Sequence, residues 1–176
     1  HIGDIPNGLY EAQQMMDHDG VVTGVPFPIN IQLRIEEEEI HVSFEGTSET
    51  RAGPVNAPEY AVRSVVRAAI KGVISPTEPS NEGDFRPIVF DIPPGLVISP
   101  QRPAPVDSYG YVCIAAYELC VRALSKAIPE RCIAGGATLC MPTISRFDPR
   151  DGRPFILSDP FDVGNGARPN ADAPTM

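Results

Sequence analysis

A chain of 176 residues with 42% hydrophobic and 21% charged residues has the size and makeup of one folded domain, which argues against disordered and fibrous classes. Its 14 Lys and Arg against 23 Asp and Glu give a formal charge of −9, a field that repels phosphate backbones and anionic lipid and so disfavours nucleic acid and membrane surfaces as partners. Twenty prolines, where usage of ~5% gives about nine, assign much of the chain to loops, turns and irregular edges.

In chain order, residues 7 to 20 close on Asp17-His18-Asp19-Gly20, a turn signal. Ile29, Ile31, Leu33 and Ile35 then alternate with Asn30, Gln32 and Arg34, which predicts a strand with one buried face. The alternation resumes at Ile40, Val42 and Phe44, so the two runs form a β-hairpin. Its tip, Glu36 to Glu39, faces water because carboxylates are costly to bury. After a loop carrying Gly46, Gly53 and Pro54 comes a helix: Pro58 suits its first position, Val62, Val65, Val66, Ala69 and Val73 form its buried stripe, and Gly72 suits its C-terminal end. The opposite face reads Arg63, Arg67, Lys71. Like charges four apart repel by a few tenths of a kcal/mol per pair, roughly, so in so acidic a chain these side chains are expected to meet carboxylates. Those acids belong either to the protein itself or to a partner subunit or ligand.

Residues 75 to 107 are rich in proline. Between the breaks, Ile88-Val89-Phe90 and Leu96-Val97-Ile98 read as short strands separated by a Pro93-Pro94-Gly95 turn. Ser108 offers an N-cap for a long helix ending at Pro129, with Glu118 and Arg122 in the favourable i, i+4 order. This helix is apolar nearly all round and is therefore the central core element. Beyond it, Ala134-Gly135-Gly136-Ala137 reads as a tight turn, and Phe147 to Gly152 as a hairpin turn before Pro154-Phe155-Ile156-Leu157. Gly164-Asn165-Gly166-Ala167 reads as a loop of close backbone approach.

The expected fold is α+β, with antiparallel hairpins and short strands packed on two helices, one long and largely buried, forming a single domain or domain fragment. No run reaches the ~18 uncharged apolar residues of a spanning helix. The longest apolar helical run, 109 to 128, carries Glu118, Arg122 and Lys126. No secretory signal pattern is visible, so a cytoplasmic setting is expected. A start at His1-Ile2-Gly3-Asp4 and an end at Pro174-Thr175-Met176 suggest a piece of something longer.

The cysteines, Cys113, Cys120, Cys132 and Cys140, lie at intervals of 7, 12 and 8, with no C-x-x-C pair, and read as buried thiols. Standard catalytic motifs are missing: no P-loop, no G-x-S-x-G, no H-E-x-x-H. His1, His18 and His41 all fall in the first quarter; Asp17-His18-Asp19 is the most metal-like cluster, but Asp before Gly ordinarily caps a turn. Two loops are more polar than a turn requires. Ala52-Gly53-Pro54-Val55-Asn56-Ala57 enters a helix, and Pro79 to Pro87, holding Asn81, Glu82 and Arg86, enters a strand. Asn56, Asn81, Glu82 and Arg86 are the candidates for substrate or interface contact, with Arg86 as a bidentate anchor for a cyclic amide or carboxylate. The alternative is that Asn81 and Arg86 satisfy buried loop backbone.

At these loops a resemblance emerges. Ile5-Pro6-Asn7-Gly8-Leu9-Tyr10-Glu11 with Asp17 to Gly20, Val42 to Ser48, Gly53 to Ala57, Asn81 to Ile88, Pro129-Glu130-Arg131, Asp151 to Pro154 and Gly166 to Pro169 match in order. Together they resemble the hydantoinase B family, the large subunit of N-methylhydantoinase and 5-oxoprolinase type enzymes, which also includes the matching subunits of acetone and acetophenone carboxylases. Glu45 stands where the family usually has Asp, Thr50 where Gln is common, and Ala173 follows Asp172 where Gly is usual. Family members are longer, and this chain resembles their middle portion.

The resemblance implies part of a heteromeric, ATP-dependent enzyme that hydrolyses a cyclic amide or imide of the hydantoin or 5-oxoproline type. ATP and Mg are then expected on a partner subunit resembling hydantoinase A, and a divalent metal elsewhere in the complete enzyme, since the family's His and Asp motif lies upstream of the matching region. Other segments of the same enzyme are expected partners, and the isolated chain is expected to be inactive and to expose apolar surface. Two alternatives remain: a subunit of an ATP-dependent ketone carboxylase of the same family, and a non-catalytic scaffold bridging catalytic chains.

Overall fold

The computed structural model describes residues 1–136, 142–159, 164 and 166–173. Four strands form one sheet in the order β1 (Gly8–Met16), β2 (Phe27–Glu36), β3 (Glu39–Ser43) and β4 (Ile88–Asp91). β1, β2 and β3 pair antiparallel, whereas β4 joins β3 in parallel after a crossover through helix α1 (Glu59–Ile74). A second helix, α2 (Gly110–Leu124), lies against β1 and β2 and packs on α1, so sheet and helices share one core. The fold is α+β, as expected from the patterning.

Period-two alternation builds the sheet. Ile29, Ile31, Leu33 and Ile35 all point inward, and the register Leu33 to Val42 and Ile35 to Ile40 puts β3's apolar residues on the same face. Glu37 and Glu38 make the two-residue turn, and Glu37 takes a positive φ of 56°, which suits a tight hairpin and keeps all four tip glutamates in water. The edge strand β1 is not apparent in the sequence. Its outward residues Leu9, Glu11, Gln13 and Met15 are as mixed as its half-buried ones, Tyr10, Ala12, Gln14 and Met16, so only pairing with β2 defines it.

Helix α1 buries Val62, Val66, Ala69, Ile70 and Val73, close to the predicted stripe. Pro58 is its N-cap rather than its first residue, and Gly72 lies inside the last turn, where Ser75 N–H caps Lys71. Helix α2 starts from Tyr109, not Ser108, and the Ser108 N–H donates to the Pro54 carbonyl at 2.8 Å. It stops at Leu124, short of Pro129, where Ser125 Oγ donates back to the Arg122 carbonyl. Leu119, Cys120 and Leu124 are completely enclosed, as the apolar run requires.

The expected strand at 96–98 is absent. Leu96 makes a single bridge to Glu49, while Val97 and Ile98 are buried in a turn. Ser99 holds that turn: its hydroxyl donates to Pro93 at 2.6 Å and accepts from Leu96 N–H. Burial without pairing produced the strand-like pattern.

The predicted late hairpin exists as β5 (Thr143–Phe147) and β6 (Pro154–Ser158), paired only with each other. Every residue of both strands is exposed, including Phe147 at 68% and Ile156 at 75%. Gly166 makes the expected close approach, since a Cβ there would fall on the Ala134 carbonyl. Ala137 and Asn165 of the two glycine turns lie outside the described residues, as does Cys140. Cys113, Cys120 and Cys132 are free buried thiols; burial pushes Cys113 and Cys132 up to about 11 and Cys120 higher still. Among the described residues no helix is long and apolar enough to cross a membrane.

These burials set a contrast. Leu119→Ala should cost ~3 kcal/mol by opening a cavity between α2 and its neighbours, whereas Ile156→Ser should stay within about 0.5 kcal/mol of the parent. Urea unfolding of both variants checks this, and equal losses would contradict the described core.

Candidate functional site

The two polar loops singled out in the sequence do different work. Around Asn56 the polar groups turn inward. Asp19 is 1% exposed and accepts from Val22 N–H at 2.7 Å, Val21 N–H at 3.0 Å and Gly53 N–H at 3.2 Å, with Arg51 Nε at 3.7 Å. Gly53 must lack a side chain, because a Cβ there would strike the Asp19 carbonyl. Asn56 is fully buried: its Oδ1 accepts from Arg51 N–H at 2.7 Å, and the two hydrogens of its Nδ2 are shared among the carbonyls of Arg51, Gly53 and Pro105 at 2.8 to 3.0 Å. Asn56 therefore clips its own loop to the segment at Pro105, with its amide already engaged.

The Asp17-His18-Asp19 cluster is split by the same clip. Asp19 points in, Asp17 and His18 remain exposed, and His18 Nδ1 accepts from Gly20 N–H at 3.0 Å. Among the described residues no group of three His, Cys, Asp or Glu is placed to hold a metal ion. His41 lies on the sheet's outer side with Nε2 3.3 Å from Glu39.

Asn81, Glu82 and Arg86 sit elsewhere, in the loop whose Asp84 and Phe85 meet the basic face of α1. The short helical turn Glu82–Phe85 is fastened at its start by a reciprocal cap: Asn81 Oδ1 accepts from Gly83 N–H at 2.8 Å, and Asp84 accepts from Asn81 N–H at 3.0 Å. The cap aims Asp84 at Lys71, 3.3 Å away, and seats the Phe85 ring 5.4 Å from the Arg67 guanidinium. Lys71 also donates to Ser75 Oγ at 3.1 Å, and that hydroxyl donates to Glu78 at 2.8 Å. Arg63 pairs with Glu59 at 2.6 Å and stacks on Phe90 of β4 at 4.9 Å. Thus Arg63 and Lys71 do meet the protein's own carboxylates, while Arg67 meets aromatic rings instead.

Two clefts open on this face, of ≈ 560 Å³ and ≈ 490 Å³, within the size range of small-molecule sites. Lys71, Glu78 and Phe85 line both. The larger runs between the start of the chain and α1 over an apolar floor including Ile70, Ile74 and Ile88; the smaller includes Ser64, Arg67, Ser80 and Glu82. Of the sequence candidates only Glu82 lines one of these clefts; Asn81 and Arg86 are exposed and line neither, and the enclosed Asn56 lies elsewhere. Asp84, Phe85 and Phe90 were not among the candidates read from the sequence. The four-residue spacing of Arg63, Arg67 and Lys71 was the available signal, but which rings and acids it would meet depends on the crossover to β4.

Hydrogen bonds depress both structural aspartates below the ordinary value of 3.8: the Val22 N–H leads for Asp19 and the Asn81 N–H for Asp84, each partly offset by burial, with Arg51 and Lys71 assisting. A depressed carboxylate stabilises the fold fully above its unfolded value and loses that contribution as the pH falls through its folded value. Unfolding followed from about pH 5 to about pH 2 should show stability dropping with acid, and Asp19→Asn should flatten that drop. Asn56→Ala should cost ~3 kcal/mol at neutral pH, because it strands four backbone groups at once. A cost below about 0.5 kcal/mol would contradict the clip.

The fold has solved counterparts. The ATP-dependent caprolactamase of Pseudomonas jessenii superimposes with a TM-score of 0.82 at 24% identity, over 98% of this chain and 30% of that one. The nucleotide-free structure of acetone carboxylase superimposes with a TM-score of 0.76 at 18% identity, over 96% of this chain and 25% of that one. In sequence, the chain is 31% identical over 88 residues to the 5-oxoprolinase of Saccharomyces cerevisiae, covering 50% of this chain and 7% of the yeast protein. It is 34% identical over 79 residues to an uncharacterized protein of Methanocaldococcus jannaschii, covering 45% of this chain and 14% of that protein. The chain thus spans under a third of the length of each of these relatives. Residues 1–176 match the profile described as Hydantoinase B/oxoprolinase, and the chain belongs to that family.

Proposed function

We propose that this chain is a segment of an ATP-dependent enzyme that opens a cyclic amide or imide by hydrolysis, in the hydantoin or 5-oxoproline manner. The observation that carries this reading is the family match along all 176 residues, together with the 31% identity to a 5-oxoprolinase. An amide carbonyl is stabilised by resonance and its oxygen is a poor leaving group, so hydrolysis at neutral pH needs activation; ATP supplies it by phosphoryl transfer. In this reading ATP and Mg sit on a partner subunit of the hydantoinase A type, a divalent metal sits elsewhere in the complete enzyme, and the assembly is cytoplasmic.

The part assigned to this chain is positioning. Asn81, Glu82 and Arg86 form the polar face offered to the substrate or to the adjoining chain, and Asn81 additionally holds the turn that fixes Asp84 and Phe85. Asn56 acts from inside, by keeping its loop in one conformation. The exposed hairpin β5–β6 fits a segment covered by other polypeptide, since two-stranded hairpins are marginal alone in water.

In the assembled enzyme, release of ADP should rise with 5-oxoproline or a hydantoin and match ring-opened product one to one. Arg86→Ala should lower that turnover by about tenfold or more with assembly intact. Incorporation of labelled bicarbonate into product would instead establish the carboxylase reading, which the likeness to acetone carboxylase favours. Unchanged turnover and assembly in both Arg86→Ala and Asn81→Ala would leave a scaffold. The isolated chain should bind the dye ANS through Ile144, Phe147, Phe155, Ile156 and Leu157, and lose that signal on assembly.

A further inference from the structure

We infer that the cleft between α1 and residues 76–85 is a binding site for a small carboxylate, gripped by Arg67. Its neighbours on the helix each hold an acid: Arg63 has Glu59 and Lys71 has Asp84. Among the described residues Arg67 makes no hydrogen bond or ion pair, and its Nε is a buried donor without an acceptor. Stacking explains where it stands: Phe85 at 5.4 Å and Phe90 at 6.0 Å fix the guanidinium without consuming its N–H groups. A planar fork held in advance, with its Nη groups uncommitted, is the arrangement that recognises a carboxylate in two parallel hydrogen bonds.

The surroundings select for size and charge. Arg67 lines the ≈ 490 Å³ cleft with Ser80, whose hydroxyl can donate to an anion, while the neighbouring Ser64 hydroxyl already donates to the Tyr60 carbonyl at 2.8 Å. Lys71, also on the wall, carries positive charge but is already engaged by Asp84 and Ser75. Two carboxylates face the same space: Glu78, which accepts the Ser75 hydroxyl at 2.8 Å, and Glu82. Glu82 is exposed and has no ion pair among the described residues, so it is the internal rival for Arg67 and must be tested as such. The inference names the chemistry that this face takes and so rests on the reading above for its biological use, but binding can be read without ATP or turnover.

The test follows the backbone amide resonances of residues 64–85, with the Arg67 Nε–H where present, in the ¹⁵N-labelled chain during titration with propionate at constant ionic strength, with propionamide and chloride as controls. A saturable shift with propionate alone is expected. Arg67→Lys, which keeps the charge and most of the stem, should weaken propionate binding by about tenfold, with the melting temperature unchanged. Binding should persist in Glu82→Gln. No saturable response, an equal response to propionamide or chloride, or full affinity in Arg67→Lys would overturn the site. Binding that appears only in Glu82→Gln would also overturn it, since Glu82 would then be the partner Arg67 already has. If propionate binds while the assembled enzyme opens no cyclic amide, the site stands and the hydrolase reading falls; turnover without propionate binding separates them the other way.

Discussion

Where the 75–88 segment lies depends on a short contact between helix and loop: Lys71 Nζ stands 3.3 Å from Asp84, and the capped turn that delivers Asp84 also delivers Phe85. The pair is only partly shielded, with 13% of the lysine and 29% of the aspartate side chain exposed, so its Coulomb energy alone is modest. Its effect is greater because the cap, the ion pair and the ring stacking are satisfied by one conformation. Asn81 is thus tied to the candidate site through the backbone geometry it imposes, as well as through its own exposure.

The basic face of α1 shows how a sequence liability becomes a structural asset. Three cations spaced by four residues repel one another, and an isolated helix would be weakened by them. The fold answers with two carboxylates and two aromatic rings, each from a different direction. Glu59 comes from the helix's own first turn, Asp84 and Phe85 from the loop, and Phe90 from β4. Because rings satisfy the charge of Arg67 without occupying its donors, the middle cation keeps its hydrogen-bonding capacity.

The opposite economy governs the Asp19 and Asn56 region. There the polar atoms are enclosed, and each is spent on backbone groups that would otherwise be stranded away from water. The result joins the β1–β2 connection, the loop entering α1 and the loop entering α2 into one rigid corner. The hairpin β5–β6 has neither kind of support: both its faces carry apolar side chains in solvent, which sets it apart from the sealed core of sheet and helices.

Much was legible in the residues alone. Alternation at 29–35 and 40–44 can be satisfied only by strands with one dry face, and the stripe at 62, 66, 69 and 73 only by a helix against a core, because burial follows the period of the backbone. Collinear loop motifs were enough to indicate the family. Strand β1, with no clean alternation, existed only through its partner's hydrogen bonds, and 96–98 was apolar for burial in a turn rather than for pairing. Asn56 and Asn81 look equivalent as polar loop residues, yet one is enclosed with its donors and acceptor used, and the other caps an exposed turn beside a cleft. That difference is decided by which distant segments pass within hydrogen-bonding distance, and no local pattern encodes it: Pro105 reaches Asn56 from 49 residues away, and Phe90 comes beside Arg63 and Arg67 only after the crossover to β4.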